Sequence, residues 1–223
     1  MEKIVIFGAT SFAEIANAYF SQSGYEVVGH LVDPGYRGDI LAVRDSQVAE
    51  LDTPFAKEMI GQATHFYAAL TYTNLNRART SKVAYLKGLG LKPASYISPH
   101  AFIDPSATLG EHVFIFENNT IQYGVSIGSN SIFWSGNHIG HHSKINENVF
   151  ISSHVVISGH VEVGQNSFLG VNCTIQNNLS IGSDNWISPN SLIHKSTGEN
   201  EMYRTTPAEK VSVTPRRYFK IES

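Results

Sequence analysis

From residue 97 onward the chain repeats a six-residue pattern of apolar and polar positions. Every sixth residue from Ile97 through Ile103, Leu109, Ile115 and Ile121 to Ile193 is apolar, seventeen matches in seventeen. With 42% of the chain apolar, such a run arises by chance less than about once in a million sequences, so the period is structural. The fifth place of each hexad is small or aliphatic in most copies (Val113, Val125, Val149, Val155, Val161, Cys173). The first and fifth places thus supply two inward side chains per hexad. The fourth place holds Asn118, Asn130, Asn148, Asn166, Asn172, Asn178 and Asn190, glycine at Gly124 and Gly136, and five histidines. Asparagine and glycine, with histidine behind them, tolerate positive φ, so this place marks a sharp corner. Short strands separated by such corners predict a three-sided prism of the left-handed parallel β-helix type, eighteen residues to a coil. Seventeen hexads make about 5.7 coils and, at strand spacing, a height of roughly 27 Å.

Residues 1–96 follow another rhythm. Lys3 to Phe7 is a buried-strand run, Gly8-Ala9-Thr10-Ser11 a turn, and Phe12, Ile15, Ala16, Tyr19 and Phe20 fall at helical spacing. Tyr25 to Val32 reads as a second strand ending at Asp33, which completes a βαβ unit. A short strand over Ile40–Val43, a helix over Thr53–Gly61, a strand over His65–Leu70 and a helix over Leu75–Leu86 follow. The expected organisation is an α/β, Rossmann-like nucleotide-sugar-binding domain over 1–96, a β-helix over 97–198 and a tail over 199–223.

The sixth places split into unlike columns. Phe114, Ile132, Phe150, Phe168 and Trp186 stack eighteen residues apart, whereas Thr108, Ser126, Lys144, Glu162 and Ser180 form a polar column. Sixth-place side chains point out of the prism, so the first column predicts an exposed apolar patch that must be covered. The tail from Met202 onward or neighbouring copies are the candidates, and three prisms closing around a three-fold axis are the more economical solution.

Composition narrows the partners. Sixteen basic and nineteen acidic residues give a formal charge of −3 with no run of five like charges, which argues against nucleic acid and anionic membranes. Cys173 is the one cysteine and makes no internal disulfide; its inward place marks it as core filler. The start MEKIVIFGAT lacks the features of a signal peptide, and no apolar stretch reaches the length of a membrane span, so a cytoplasmic location is expected.

The turn GATSFA carries one of the three glycines of a dinucleotide fingerprint. The remaining backbone N–H groups at the helix start, in the turn Gly8–Ser11, suit one phosphate or a nucleotide sugar, with Asp33 at the next strand end reaching a ribose or base. Thr71 and Asn74 lie after a third strand end and complete the candidate acceptor site. Among the histidines, His100, His112, His142, His154 and His160 occupy corner places and need no metal to explain them. His141 sits in the third place, where no other hexad has histidine. Imidazole is the side chain suited to general-base work near neutral pH. His138, in a sixth place, is a weaker second candidate. Direct transfer to an acceptor, assisted by one base, is the simplest chemistry these residues allow.

The opening IVIFGAT, LVD at Asp33, FENN at Phe116–Asn119, WSGNHIGHHS at Trp134–Ser143 and FLGVN at Phe168–Asn172 together resemble the bacterial sugar acyltransferases of the sialic acid O-acetyltransferase and UDP-4-amino-sugar N-acetyltransferase type. The resemblance covers nearly the whole chain. It implies an acetyl-CoA-dependent acetyltransferase acting on an amine or hydroxyl of a nucleotide-linked or activated sugar in surface-glycan biosynthesis. It also implies a homotrimer, acetyl-CoA along the outer wall between adjacent prisms, no metal, and a catalytic histidine at His141. Gly159, Phe150 and Asn172 are the positions expected to contact acetyl-CoA. Two positions depart from the pattern: His142 stands where the N-acetyltransferases carry a carboxylate, and Thr205-Thr206-Pro207-Ala208 lacks a glycine two places before its Pro-Ala pair. His141 and His142 are the expected catalytic pair. A non-catalytic β-helix that binds a partner or glycan, and an O-acetyltransferase of a simple free acceptor, are the rival readings.

Overall fold

The computed structural model describes residues 1–36, 43 and 46–221. Its first part runs β1 (Glu2–Phe7), α1 (Ser11–Gln22), β2 (Tyr25–Val32), β3 (Val48–Glu50), α2 (Pro54–Gln62), β4 (His65–Ala68), α3 (Arg77–Gly88) and β5 (Lys92–Pro93). The five strands form one sheet in the order β3-β2-β1-β4-β5, with every pairing parallel. Alternation along β1 divides its side chains between two layers. Val5 and Phe7 pack with Ala56 and Met59 of α2 and Leu86 of α3. Ile4 and Ile6 pack with Phe12, Ala13, Ala16 and Phe20 of α1. Residues 40–42 of the expected strand over Ile40–Val43 lie outside the described residues, and β3 is an edge strand the hydrophobic pattern did not announce. Helix α3 starts two residues later than expected because Asn74, Leu75 and Asn76 take left-handed φ of 53°, 47° and 65°.

The prism follows as two-residue strands, one every six residues, from β6 (Tyr96–Ile97) to β22 (Leu192–Ile193). Each strand pairs in parallel with the strand one coil away, which sorts them into three faces. Fourteen successive fourth places, from His112 to Asn190, all have positive φ, so the corner rule holds throughout that span. His100 does not share this conformation. First- and fifth-place residues such as Ile115, Val125, Ile139, Val155, Ile157 and Cys173 fill the interior. Burial pushes the Cys173 thiol up to about 12, consistent with a packing role. The wall extends past residue 198, because β23 (Met202–Tyr203) pairs with the strand at Trp186–Ile187. A short helix, α4 (Pro215–Tyr218), lies exposed in the tail.

The apolar column is not left for a neighbouring copy. Phe114, Ile132, Phe150 and Phe168 are all buried, in one cluster with α1 and the sheet. Phe12 meets Phe114 at 5.4 Å edge to face, and Tyr19 stacks near Tyr96 and Phe114. Higher up, Tyr72 covers Phe150, Phe168 and Trp186 at ring distances of 5.1, 4.7 and 5.7 Å. The expectation of an exposed patch closed by association, or by the tail, is therefore corrected. The chain's own N-terminal sheet and helix α1 cover this face, a pairing that two separately read rhythms do not reveal.

A buried polar network locks the two parts together. The Arg79 guanidinium is fully buried and donates to Leu70 O, Thr71 O, Asn130 O and Asn130 Oδ1. Four acceptors satisfy it where no carboxylate is at hand, and desolvation lowers its pKa only to about 10. His112 Nε2 accepts the Ala68 N–H at 2.9 Å, so its proton must sit on Nδ1, which donates to Asn130 Oδ1 at 2.8 Å. Burial, reinforced by the Arg79 charge, pulls the His112 pKa down to about 3.

A base whose folded pKa lies below its unfolded value stabilises the fold above the unfolded pKa, and that contribution is lost as pH falls. His112 alone is expected to cost about 2 kcal/mol of stability between pH 7 and pH 5. Denaturant unfolding at both pH values measures this. His112→Asn, which keeps a residue suited to the left-handed corner, lowers stability at pH 7 and flattens the fall; an unchanged fall contradicts the assignment.

Candidate active site

His141 follows β13 (His138–Ile139) on the turn into β14 (Lys144–Ile145), at the edge where the two uncovered faces meet. That edge is opposite the face that the N-terminal sheet and α1 cover. Along it the eighteen-residue repeat stacks Tyr123, His141 and Gly159 in third places and Gly124, His142, His160 and Asn178 in fourth places. Glycines make room for the rings. A Cβ on Gly159 would lie 2.7 Å from the His141 imidazole, and one on Gly124 would sit 3.3 Å from that of His142.

The His141 backbone N–H donates to Gln122 Oε1 at 2.9 Å, and His142 N–H donates to Tyr123 O at 2.9 Å. These bonds fix the turn that carries both imidazoles. His141 Nδ1 and His142 Nδ1 are 3.1 Å apart, so one of them bears a proton shared with the other. His160 stacks on His142 at 5.0 Å with an 8° interplanar angle and meets His141 edge to face at 5.0 Å. The Gly159 N–H, beside the His141 ring, has no acceptor among the described residues. A groove of about 460 Å³ lined by Phe102, Asp104, Gln122, Tyr123, His141 and His142 lies on one side. On the other side, His142 and His160 border a second of about 290 Å³ that includes Lys144, Glu162 and Asn178.

The other expected site residues lie elsewhere. Gly8, Ser11, Asp33 and Thr71 gather at the C-terminal ends of β1, β2 and β4, where open parallel sheets present backbone groups to ligands. Gly8 has φ +122°, and a Cβ there would lie 2.9 Å from Ala69 O, so only glycine fits that turn. The Thr10 side chain makes no capping hydrogen bond to α1. Asp33 pairs with Lys82, whose ammonium also lies 4.9 Å from the centre of the Phe7 ring. Asn74 belongs to the left-handed turn that leads into α3.

Gly159 is beside His141, but Asn172 lies on another edge and Phe150 is buried under Tyr72. The expectation that Phe150 touches acetyl-CoA is corrected, since its surface is covered by Tyr72 and the core shared with α1 and the N-terminal sheet. Thr205 bonds back to Ser188 Oγ and Pro189 O and so holds the start of the tail against the prism. Sequence reasoning missed Gln122, Tyr123 and His160; reading the eighteen-residue column through His141 and His142 would have found them.

Residues 91–203 match the family model described as the GMPPB C-terminal domain. The chain belongs to that family. No curated protein matches the sequence. Among solved structures, the chain is similar to perosamine N-acetyltransferase PerB from Caulobacter crescentus in complex with CoA and GDP-perosamine. That likeness is at 21% identity over 91% of this chain and 93% of that one, with a TM-score of 0.79. The acetyltransferase domain of PglB from Neisseria gonorrhoeae FA1090 gives 20% identity, 95% and 100% coverage, and a TM-score of 0.78. WeeI from Acinetobacter baumannii AYE gives 14% identity over 91% and 96% of the two chains, with a TM-score of 0.59. At these identities the likeness is one of fold. Among the described residues, no helix is long and apolar enough to cross a membrane.

Gly159→Ala is expected to displace the His141 ring while leaving the fold intact, because Gly159 is not among the left-handed residues and only the ring is crowded. Imidazole NMR resonances of His141 and His142 should move with the thermal midpoint changed by no more than a few degrees. Unmoved resonances contradict the crowding.

Proposed function

We propose that the chain is an acetyl-CoA-dependent acetyltransferase that acylates the amino group of a nucleotide-linked sugar, with His141 as general base. The observation that carries this reading is the His141–His142 pair at 3.1 Å beside a Gly159 N–H with no acceptor among the described residues, at the lip of an open groove. The fold shared with PerB and the PglB acetyltransferase domain, which are described with CoA or acetyl coenzyme A bound, supports it.

The base must present a lone pair on Nε2, which places the His141 proton on Nδ1 and makes His142 Nδ1 its acceptor. His142 thereby does the orienting work that a carboxylate does at that position in the resembling N-acetyltransferases. Acetyl-CoA supplies the acyl group already activated as a thioester. His141 Nε2 accepts the proton of the attacking amine as the new C–N bond forms. The Gly159 N–H donates to the oxygen on which negative charge develops. As the C–S bond breaks, protonated His141 returns its proton to the departing thiolate. The product is an N-acetylated nucleotide sugar, a building block for glycan assembly.

The acceptor is assigned to the N-terminal domain. The N–H groups of Ser11 and Phe12, which have no acceptor among the described residues, would meet a phosphate, and Asp33 at the adjacent strand end, paired with Lys82 of α3, would meet the nucleoside. Gly8, whose own N–H is spent on Leu31 O at 2.8 Å, lets the chain make the turn into that cradle. Asn74 and Thr71 border it from the loop after β4. Within one chain this cradle and His141 lie on opposite sides of the prism, so a complete site requires the N-terminal domain of another copy. A homotrimer meets that need and is the assembly proposed here.

His141→Ala is expected to lower kcat by about a hundredfold or more with little loss of stability, because its ring is exposed and makes no core contact. Thiol release from acetyl-CoA with a panel of nucleotide-linked amino sugars measures this. Turnover within about threefold of wild type contradicts the role of general base.

A further inference from the structure

The edge that carries His141 holds a third imidazole the proposed reaction does not use. His141, His142 and His160 each offer one ring nitrogen, and the three nitrogens lie within 4.8 Å of one another. We propose that these histidines form a binding site for a divalent transition-metal ion of the zinc class, and that occupancy silences the enzyme.

Four features carry the inference. First, His141 Nδ1 and His142 Nδ1 are already 3.1 Å apart. Two imidazole nitrogens bound tetrahedrally at 2.0–2.1 Å stand about 3.3–3.4 Å apart, so this pair needs little adjustment. Second, all three rings are exposed, so rotation of His160 can bring its nitrogen the remaining distance without disturbing the core. Third, glycine at 124 and 159 leaves space beside the His142 and His141 rings, and Tyr123 borders the cluster edge to face with His142 at 5.4 Å. Fourth, three imidazoles without a carboxylate suit zinc, copper or nickel and disfavour magnesium or calcium, which take oxygen ligands. Asp104 lines the groove from two coils below, and Glu162 is tied to Lys144 and Asn146, so neither joins the cluster.

The corner rule explains His142 and His160 singly, since histidine is one of the residues that fourth places use. It does not explain why the one third-place histidine stands against two consecutive corner histidines. Binding follows from this geometry alone. The silencing rests on the reading of His141 as the base: a metal ion on Nδ1 displaces the proton held there, so the neutral ring carries its proton on Nε2 and has no lone pair left for the amine proton. Release of the ion by a chelator restores it, with no covalent change in the protein.

The test uses the full-length, chelator-treated protein and zinc chloride. Isothermal titration should show one zinc ion per chain in the wild type, bound at least tenfold more tightly than in His160→Asn. That variant places at position 160 the residue most common at the other corners, so its fold is expected to be unchanged, and its own metal-free activity is the reference for its inhibition. Cobalt titrated in place of zinc should give the visible absorption of a tetrahedral site in the wild type and not in the variant. Zinc should inhibit wild-type acyl transfer, EDTA should reverse this, and His160→Asn should resist at the same concentration. Equal zinc affinity in wild type and His160→Asn overturns the site. Tight, His160-dependent binding without inhibition upholds the site but overturns the silencing, and with it the role of His141 as base.

Discussion

The packing of the N-terminal aromatic cluster onto the column Phe114, Ile132, Phe150, Phe168 and Trp186 is the interaction on which the rest of the molecule depends. A β-helix with an uncovered stripe of five large apolar side chains is not a stable soluble surface. The βαβ sheet has its own uncovered layer in α1. Each part supplies what the other lacks, and the joint core of Phe12, Tyr19, Phe20, Tyr67 and Tyr96 with the prism column closes both. The buried Arg79–Asn130–His112 network then fixes register, because its donors and acceptors come from both parts and are costly to leave unpaired. In choosing which face is covered, this packing also decides which edge remains free, and His141 stands on that edge.

The free edge shows how a repetitive scaffold builds a local site. Corners every six residues place side chains in straight columns, and the backbone ladder between coils holds them at strand spacing. A site then requires only unlike residues in successive turns of one column. Gly124 and Gly159 remove side chains, His141, His142 and His160 add rings, and Gln122 ties the backbone beneath them. No loop excursion is involved, so the rigidity of the prism passes directly to the imidazoles. The acceptor cradle proposed above obeys different rules, because it lies at the strand ends of an open sheet, beside the opening of a helix and a glycine with positive φ.

Much of this was legible in the sequence because the hexad period is a direct image of the backbone. The inward first and fifth places, the left-handed corners from His112 onward and the outward sixth places were all readable from side-chain type alone. So was the singular place of His141. What the sequence withheld was long-range. The aromatic column announced that it must be covered but not by what, and the spacing of Phe12, Ala16 and Phe20 announced a buried helix face but not its partner. The left-handed turn at Asn74–Asn76 escaped because its leucine is a poor marker for positive φ. His160 was read as a corner residue, which it is, and its meeting with His141 appears only when columns eighteen residues apart are set side by side.

The central claim is that the base and the acceptor cradle, held on opposite sides of one prism, act together only between copies. Co-expression of two differently disabled chains tests it most directly. One carries His141→Ala. The other carries Ser11→Glu, which suits the first turn of α1 but repels a phosphate from the cradle. Each chain alone should be inactive with a nucleotide-linked amino sugar. In mixed closed oligomers, random pairing of an intact base with an intact cradle should restore about one quarter of wild-type acyl transfer. No restoration in mixed oligomers confirmed to contain both chains would contradict the account, since it would place base and cradle within a single chain.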